Sequence, residues 1–439
     1  MFRYSLALVT RKFIINNRLQ ALEDKKLKYK KIVSKEDVYK EQILLFNKTW
    51  KHCIINIPFY TEWQRSHDLP DSISTVKELK EFPVLTKLDI YKNQTFILEG
   101  LKDYYLTTTG GTSGITVQFP TSKSNANEAY VNAYLGRSWW GIEPLSKILM
   151  FWGHSHLFGK GASRFVRQFL RFLSDFIINT KRISCYSLDV KNVQRFYNSI
   201  LEFKPGAIIS YSSNVFRVCK YMEKNNLKYN DRNLHGVILT SESVTQVDVD
   251  LIERHLQTSV INEYGMAETG PIAYSYKHTH NIKVFWDTFI VTTSDKGELM
   301  VTTIANSIFP LINYSSEDLV EVEEEYENSV LVLKKIVGKI RNVLKVESEK
   351  GSFREISTIF FDHVLKFYPS IYSINYRQNK RSIDILLTSD IDLDLKDVKV
   401  YVCKEVSKEF SNIDFTKVNV EQVYFSKKTI AGKNQVLVK

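Results

Sequence analysis

The chain has 439 residues, 44% of them hydrophobic and 13% aromatic, and a formal net charge of +11. This length and apolar content exclude a small peptide-binding module and extensive disorder, and they predict one large domain with a smaller one. The positive charge predicts an anionic partner such as nucleotide phosphates, an acidic sugar or a membrane surface; nucleic acid is disfavoured, because the lysines are scattered and no nucleic-acid-binding signature accompanies them.

The start of the chain and its cysteines indicate a cytoplasmic protein. The apolar stretch before Arg11 and Lys12 is too short for a secretory signal or a spanning helix. The cysteines are far apart and form no CxxC motif and no Cys/His cluster, which argues against a disulfide framework and against a zinc site. They are Cys53, Cys185, Cys219 and Cys403. Peripheral attachment to a membrane remains an alternative.

The first half of the chain predicts an α/β fold. Leu19–Lys51 is charged and helix-favouring, so residues 1–100 are expected to form a helical cap. From Tyr104 to Tyr314, short β-rich runs such as Gly236–Thr240 alternate with amphipathic stretches such as Asn214–Asn225. That alternation is typical of βα units and predicts a mostly parallel sheet.

The second half predicts a β-rich portion and then a small domain. Ile282–Val332 is rich in strand-forming residues, with turn signals at Asp295–Gly297 and at Glu327–Asn328. The remainder, from Gly338, has a short α+β pattern. We therefore expect a large N-terminal domain over residues 1–337 and a small mobile C-terminal lid domain over residues 338–439.

One stretch within the α/β part has the pattern of a basic amphipathic helix. Arg164, Arg167 and Arg171 recur at helical spacing, and four phenylalanines lie close to another stripe. These are Phe165, Phe169, Phe172 and Phe176. We favour a helix that packs on the core with a solvated basic edge; the alternative is contact with an anionic acceptor that is lipid-linked or polymeric.

A loop rich in hydroxyls and glycines is the first candidate site. It consists of Leu106, Thr107, Thr108, Thr109, Gly110, Gly111, Thr112, Ser113 and Gly114. Glycines let backbone N–H groups approach a phosphate and hydroxyls add donors. The loop lacks the Gly-Lys-Ser/Thr of a Walker A motif and the frame of a nucleophile elbow. Taken alone, it could also be a flexible polar loop.

This loop resembles the phosphate loop of the adenylate-forming superfamily, and three further segments follow in that family's order. Asn262–Thr269 resembles the YGxTE motif. The resemblance implies that Tyr264 stacks on adenine, that Gly265 belongs to the nucleotide site, and that Glu268 holds Mg2+ through a hard carboxylate oxygen. Without the resemblance, the segment could be a helix N-terminus with a buried tyrosine.

The remaining two segments complete the implied nucleotide site. Tyr314–Leu319 is similar to the family's Y-x-T-G-D-L motif, with Ser316 and Glu317 in place of Thr-Gly, and Asp318 would accept both ribose hydroxyls. Lys427–Lys433 resembles the C-terminal motif whose lysine, here Lys433, reaches the active site. The resemblance implies ATP and Mg2+ as cofactors.

The phenylacetate–CoA ligase-like branch, including members from capsule and O-antigen clusters, resembles this chain most. Four further segments carry that likeness: Ile57–Tyr60, Phe82–Lys87, Ser210–Ser213 and Thr240–Ser243. The family's hinge differs, because Arg341 and Asn342 stand where the family has an acidic pair. Domain rotation about this hinge is therefore an open point.

The acyl pocket is expected at strand ends that precede helices, where α/β sheets bind ligands. Candidate residues are Trp152, His154, Tyr211, Ser212 and Glu242. Because these segments are polar, a hydroxylated or charged acid is favoured over an aryl acid. His154 and His156 could instead form a structural hydrogen-bonded pair.

The expected activity is the making of an acyl-adenylate from a small carboxylic acid and ATP. Transfer would follow to a thiol, with coenzyme A as a candidate, or to an amine, in surface-polysaccharide biosynthesis. Two alternatives are an aryl-CoA ligase of catabolism and a nucleotide-binding module that has lost catalysis. Contact with a membrane or an anionic glycan is a further partner hypothesis, and the sequence does not indicate the oligomeric state.

Overall fold

The chain forms a mixed α/β structure that divides into two compact units. The computed structural model describes residues 15–108, 117–152, 170, 172–184, 190–242, 244–276, 279–305, 307–339, 343–347, 353–358, 361, 365, 371–389, 391–409, 413–423 and 437–438. The first unit is bounded by Met1–Ser146, Phe176–Asn179 and Ile261–Ile336, and the second by Lys147–Asp175, Thr180–Val260 and Val337–Lys439. The predicted α/β class is confirmed.

The N-terminal part of the first unit is helical, as the sequence predicts. Helices α1 to α5 span Asn16–Lys31, Lys35–Asn56, Pro58–His67, Lys87–Lys92 and Gln94–Leu98, and a 3-10 helix spans Val76–Glu81. Ser34 begins α2 by accepting a hydrogen bond from the Asp37 N–H, the usual role of a serine N-cap. Trp50, Tyr60 and Phe82 are fully buried in the core of this unit.

A buried ion pair anchors α1 within the first unit. The Lys25 Nζ lies 2.7 Å from the Glu128 carboxylate and 3.0 Å from that of Asp287. Tyr29 donates a hydrogen bond to the same Asp287 carboxylate. Two carboxylates around one ammonium compensate the cost of burying its charge.

The strands of the first unit are antiparallel. A short pair, β1 (Tyr105–Thr108) and β2 (Gln118–Thr121), precedes helix α6 (Lys123–Ser138). The larger group has the order β10-β11-β12-β13-β9-β8-β7. Its members, β7 to β13, are Val260–Met266, Gly270–Ser275, Ile282–Val284, Phe289–Thr293, Glu298–Thr303, Tyr314–Tyr326 and Ser329–Lys339. The predicted turns at Gly297 and at Glu327–Asn328 join β10 to β11 and β12 to β13.

The second unit contains the predicted parallel βα units. Strands β3, β4, β5 and β6 are Ile148–Trp152, Thr180–Ser184, Ala207–Ser210 and Gly236–Thr240, and they pair in parallel in the order β4-β3-β5-β6. Helices α7, α8 and α9 are Val190–Phe203, Ser212–Lys224 and Gln246–Leu256. The parallel pairing predicted from Tyr104 to Tyr314 therefore holds for β3 to β6 but not for β7 onward, where a tight turn reverses the chain.

The C-terminal part has the predicted α+β composition and a hydrophobic cluster of its own. Strands β14 (Val343–Glu347) and β15 (Phe353–Ser357) form one pair. Strands β16 to β19 form a four-stranded sheet beside helix α10, and they span Ile371–Gln378, Ile383–Ser389, Val418–Gln422 and Leu437–Val438, with α10 at Leu395–Glu409. The domain boundary at residue 338 and the mobility of this part stay predictions.

The described end of the predicted basic helix does not pack on the core. Residues 172–177 are helical. Leu170, Phe172 and Phe176 are 58%, 66% and 57% exposed, respectively. The favoured core-packed interpretation is therefore wrong for these side chains, because the helical pattern did not show whether a partner surface was present. Arg164, Arg167 and Arg171 lie outside the described residues.

Candidate active site

The first unit brings together the predicted residues of the two nucleoside motifs. Tyr264 lies on β7 and Asp318 on β12, and each is 8% exposed. The Tyr264 hydroxyl donates a hydrogen bond of 2.9 Å to Asp318 Oδ2. Burial, together with the Asp318 carboxylate, raises the pKa of Tyr264 well above its usual value. Tyr264 is therefore a neutral phenol that holds the Asp318 carboxylate in place.

A second hydrogen bond joins the same two motifs, and in this one the other motif supplies the tyrosine. Glu268 follows β7 in the turn toward β8, and only 4% of its side chain is exposed. The hydroxyl of Tyr314, the first residue of the Asp318 motif, donates a hydrogen bond of 3.1 Å to Glu268 Oε1. Burial and the Glu268 carboxylate raise the pKa of Tyr314. Each motif thus supplies a tyrosine that fixes the carboxylate of the other.

Lys87 is a site residue to which sequence reasoning assigned no role. Its Nζ lies 3.7 Å from Glu268 Oε1, and 13% of its side chain is exposed. Leu85 forms a parallel bridge with Tyr314, and the Ser315 N–H donates to the Leu85 carbonyl at 2.9 Å, which places the start of α4 beside Glu268. A cation at the first residue of a helix opposes the helix dipole. A lysine at this unfavourable position of Phe82–Lys87 was the feature of the sequence that indicated a functional role.

The turn before Asp318 keeps a backbone conformation that favours glycine. Glu317, which replaces the family's glycine, has a φ of 61°. The Glu298 carboxylate accepts hydrogen bonds from the Ser315 hydroxyl and from the Glu317 N–H, and the Asp318 N–H donates to Ser316 Oγ at 3.0 Å. These contacts hold a left-handed residue that costs about 1–2 kcal/mol outside glycine. The replaced turn therefore still presents Asp318 to Tyr264.

Gly265 is required by the close approach of β7 and β8. The strand register shifts between Tyr264 and Gly265, at a β-bulge. A Cβ added at Gly265 would lie 2.5 Å from the carbonyl oxygen of Gly270, so no other residue fits without a backbone shift. Because bulges redirect side chains, Gly265 helps to set the direction in which Tyr264 points.

The donor set in the first unit fits a magnesium ion bound jointly with a nucleotide. Mg2+ commonly takes one or two carboxylates and completes its shell with phosphates and water. Glu268 offers one fixed carboxylate, and Lys87 compensates its charge. Within the described part of the chain, no group of three or more His, Cys, Asp and Glu residues could hold an ion by itself. Glu268 would therefore bind the ion together with phosphate oxygens.

The second unit brings together the predicted acyl-pocket residues. Trp152 is the last residue of β3, and Tyr211 follows β5, the next strand in the sheet. Their ring centroids are 4.4 Å apart with the planes tilted by 41°. Glu242 lies just beyond β6, so all three occupy the carboxyl ends of adjacent parallel strands. This edge is where open α/β sheets bind ligands.

In this group, Glu242 is hydrogen-bonded to the start of α8, but its neighbours Ser212 and Asn214 differ from it. The Glu242 carboxylate accepts from the Ser213 N–H at 2.9 Å and from the Ser213 hydroxyl at 3.1 Å, which caps α8. In contrast, Ser212 Oγ and both polar atoms of the Asn214 amide are buried and have no hydrogen-bond partner within the described part of the chain. The role of Glu242 in substrate binding stays a prediction, since its carboxylate is engaged with α8.

Several predicted residues lie outside the described part of the chain. Two residues of the phosphate loop are described: the Thr107 hydroxyl lies 3.0 Å from the Thr121 hydroxyl across β1 and β2, and Thr108 is the last residue of β1. Thr109, Gly110, Gly111, Thr112, Ser113, Gly114, His154 and Lys433 are not among the described residues. The same holds for Ile340, Arg341 and Asn342 of the hinge segment.

Two curated proteins are similar to this chain over most of its length. Protein CapK of Staphylococcus aureus is 24% identical over 325 residues, covering 72% of this chain and 70% of CapK. Phenylacetate-coenzyme A ligase of Escherichia coli (strain K12) is 22% identical over 364 residues, covering 77% and 79%. No protein-family model matches the sequence.

Solved structures share the fold. A crystal structure of 2-hydroxyisobutyryl-CoA ligase in the postadenylation state, in complex with 2-HIB-AMP, superposes with a TM-score of 0.68 at 14% identity, over 92% of this chain and 89% of that one. At this identity the likeness shows the fold alone. Together with the two curated relatives, it confirms the resemblance to adenylate-forming enzymes and to their phenylacetate–CoA ligase-like branch.

Proposed function

We propose that this chain is a ligase that activates a small carboxylic acid with ATP as an acyl-adenylate and then transfers the acyl group to a thiol or an amine. The main support is the reciprocal pairing of Tyr264 with Asp318 and of Tyr314 with Glu268. This pairing fixes two carboxylates, one suited to ribose hydroxyls and the other to a hard cation. Each of the two carboxylates accepts a hydrogen bond from a buried tyrosine of the other motif.

The first half-reaction needs no nucleophile from the protein. A carboxylate oxygen of the acid attacks the α-phosphorus of ATP, a P–O bond forms, and the bond to pyrophosphate breaks. Negative charge builds on the phosphoryl oxygens and on the departing pyrophosphate. Positioned cations and N–H donors that are aimed at this charge supply most of the stabilisation.

The roles of the residues follow from their chemistry. The Asp318 carboxylate would accept hydrogen bonds from the ribose hydroxyls. Tyr264 would hold that carboxylate and contact the adenine face. Glu268 would hold Mg2+, which when bound would neutralise charge on the polyphosphate. Lys87 compensates the buried Glu268 charge before nucleotide binds, since an uncompensated buried carboxylate is costly.

Two further segments, most of whose residues lie outside the described part of the chain, complete the proposal. The loop Thr107–Gly114 would bind pyrophosphate through its N–H groups and hydroxyls. Lys433 would bridge the carboxylate and the α-phosphate, a contact made mainly in the transition state. These roles rest on the sequence resemblance.

The acid is proposed to be hydroxylated or charged rather than a plain aryl acid. Support comes from the buried polar atoms of Ser212 and Asn214, which have no hydrogen-bond partner among the residues that the structure describes. Buried polar groups are normally satisfied, so a polar ligand or a water that bridges to one accounts for them. A surface-polysaccharide pathway would supply such an acid.

The test is carboxylate-dependent exchange of labelled pyrophosphate into ATP, run over panels of aryl, amino, hydroxy and uronic acids. We expect exchange with at least one polar acid, with aryl acids poorer. For the acceptor, the adenylate formed in the assay is offered coenzyme A or a simple amine, and the thioester or amide is measured by mass spectrometry.

A nucleotide-binding module without catalysis would give a different pattern. It would bind ATP, measured by calorimetry, and show no exchange with any acid of the panel. The altered hinge at Arg341 and Asn342 is the sequence feature behind this alternative. That outcome would refute the ligase and leave the nucleotide site intact.

A further inference from the structure

Three neighbouring apolar side chains in the second unit are exposed to solvent. Leu170, Phe172 and Leu173 are 58%, 66% and 39% exposed, and we call them the apolar strip. Single exposed apolar residues are ordinary, but three exposed apolar residues within four positions of the chain, one of them a phenylalanine, indicate an interaction surface. None of its residues is among the candidate site residues.

A cleft of 620 Å3 rich in cations lies between β4 and α7 in the same unit. Lys181, Arg182 and Arg195 line it together with the amides of Gln194 and Asn198, and Glu202 is its one lining carboxylate. We call it the cationic cleft. Lys181 is 3.9 Å from Glu202, whose side chain is 73% exposed, so that pair is weak. The cleft carries a net positive charge and several hydrogen-bond donors.

The strip and the cleft are directly connected. Asp175, two residues after Leu173, accepts hydrogen bonds of 2.8 and 2.9 Å from the Arg182 Nε, and Arg182 lines the cleft. In addition, Leu201 is 42% exposed and shares a face of α7 with Gln194 and Asn198, which precede it by seven and three residues. Exposed apolar groups therefore border the cationic groups on two sides.

We propose that the apolar strip and the cationic cleft together dock this protein on the surface of an anionic lipid bilayer. The strip would insert at the level of the headgroups, and Lys181 and Arg195 would bind lipid phosphates in the cleft. This combination of exposed apolar and cationic side chains is the one that interfacial elements use. Attachment is peripheral: among the described helices, none is long and apolar enough to cross a membrane.

Charge and apolarity together favour a bilayer over other occupants. A soluble anion or a polyanionic glycan would satisfy the cations but would leave Phe172 in water. In a symmetric pair of chains the same patch faces itself, so two cationic clefts would meet and repel. A bilayer with anionic lipids supplies phosphate and hydrocarbon at one surface.

Flotation with vesicles tests the proposal on the full chain. We expect wild-type protein to float with vesicles of phosphatidylcholine plus phosphatidylglycerol, to float poorly with phosphatidylcholine alone, and to be released by salt. Lys181→Gln with Arg195→Gln should weaken binding by about fivefold for each cation removed. Phe172→Ser with Leu173→Ser should weaken it by roughly tenfold or more at unchanged lipid charge.

Matched changes elsewhere serve as controls. Leu44, at 64% exposure on α2, gives the apolar control Leu44→Ser, and the exposed Lys48 and Lys51 give the charge control Lys48→Gln with Lys51→Gln. Neither control should alter flotation. Pyrophosphate exchange and the urea midpoint, measured for every variant, show that each is folded, and these readouts are independent of lipid.

Three results would overturn the proposal. The first is wild-type protein that does not float with anionic vesicles. The second is an apolar variant that floats like wild type, which would leave a soluble anion as the occupant of the cleft. The third is loss of self-association in the apolar variant, measured by sedimentation velocity, without loss of flotation, which would assign the strip to a second copy.

Discussion

The nucleoside group and the acyl-pocket group differ in how their buried polar atoms are satisfied. In the first, Tyr264 and Tyr314 each donate to a carboxylate of the other motif. In the second, Ser212 and Asn214 bury polar atoms that have no hydrogen-bond partner among the described residues. The proposed ligand of the first group, ATP, is the same in every turnover, so its site can be fixed in advance. Unsatisfied groups, in contrast, cost free energy until a polar ligand or water reaches them. We therefore expect the residues of the second group to determine which acid is bound.

The largest effect is expected from Glu268→Gln. The change keeps the shape and the Tyr314 hydrogen bond but removes the charge that would hold Mg2+, so exchange should fall by about 100-fold or more. The measurement is pyrophosphate exchange over a Mg2+ titration. Glu323→Gln, on the exposed side of β12, is the matched control. Full exchange in Glu268→Gln would show that the metal site lies elsewhere.

The next effect concerns Asp318→Ala. Hydrogen bonds to a charged group are worth about 1.5–3 kcal/mol each, so losing the ribose contacts should weaken ATP binding by roughly tenfold or more. Calorimetry with ATP measures this change, and kcat at saturating ATP should change less. Tyr264→Phe, which removes only the hydroxyl that holds Asp318, should show a smaller loss. Equal losses would mean that Asp318 does not itself touch the nucleotide.

The third test concerns Asn214, in the acyl-pocket group. Asn214→Leu replaces an unsatisfied buried amide by an apolar group of similar size, so the free energy of unfolding should rise by about 1–3 kcal/mol. Urea unfolding measures it. The kcat/KM for the acid should fall while ATP affinity stays unchanged. A loss of stability of that size would instead show that the amide is satisfied, for example by an ordered water.

The smallest effect is expected from Glu317→Gly. Glycine adopts the left-handed conformation without the steric cost, but it loses more backbone entropy on folding, so the net change should be a stabilisation of about 1 kcal/mol or less. The Glu298 contact to the Glu317 N–H is a backbone contact and is retained. Thermal unfolding with and without ATP is the measurement. A large loss of ATP affinity would show that the Glu317 side chain contacts the nucleotide.

Much of the fold could be predicted from local patterns. Gly236–Thr240 is a strand at the bounds expected from its apolar run, and Asn214–Asn225 lies within one residue of helix α8 at its C-terminal end. Strand direction could not be read in the same way. A run such as Val260–Met266 looks alike in parallel and antiparallel sheets, and here the turn before Gly270 reverses the chain.

The site was predictable as a set of residues but not as a geometry. Glu268 and Asp318 carry recognisable motifs, whereas the role of Tyr314 depends on a contact 46 residues away along the chain. Lys87 is still further from Glu268 in sequence and reaches it only because Leu85 pairs with Tyr314. Exposure of Phe172 also had no local signal, because periodicity shows that a helix has an apolar face but not what covers it.

Because the tyrosine of each motif binds the carboxylate of the other, the two motifs have to be exchanged together in a chimeric protein. A chimera that took residues 260–269 from a relative lacking the tyrosine of this motif would leave Asp318 without its donor, and one that took 314–319 alone could do the same to Glu268. Grafting both segments together keeps each hydroxyl with its acceptor. Recombination within this fold should therefore tolerate crossovers outside residues 260–319 better than crossovers between the two segments.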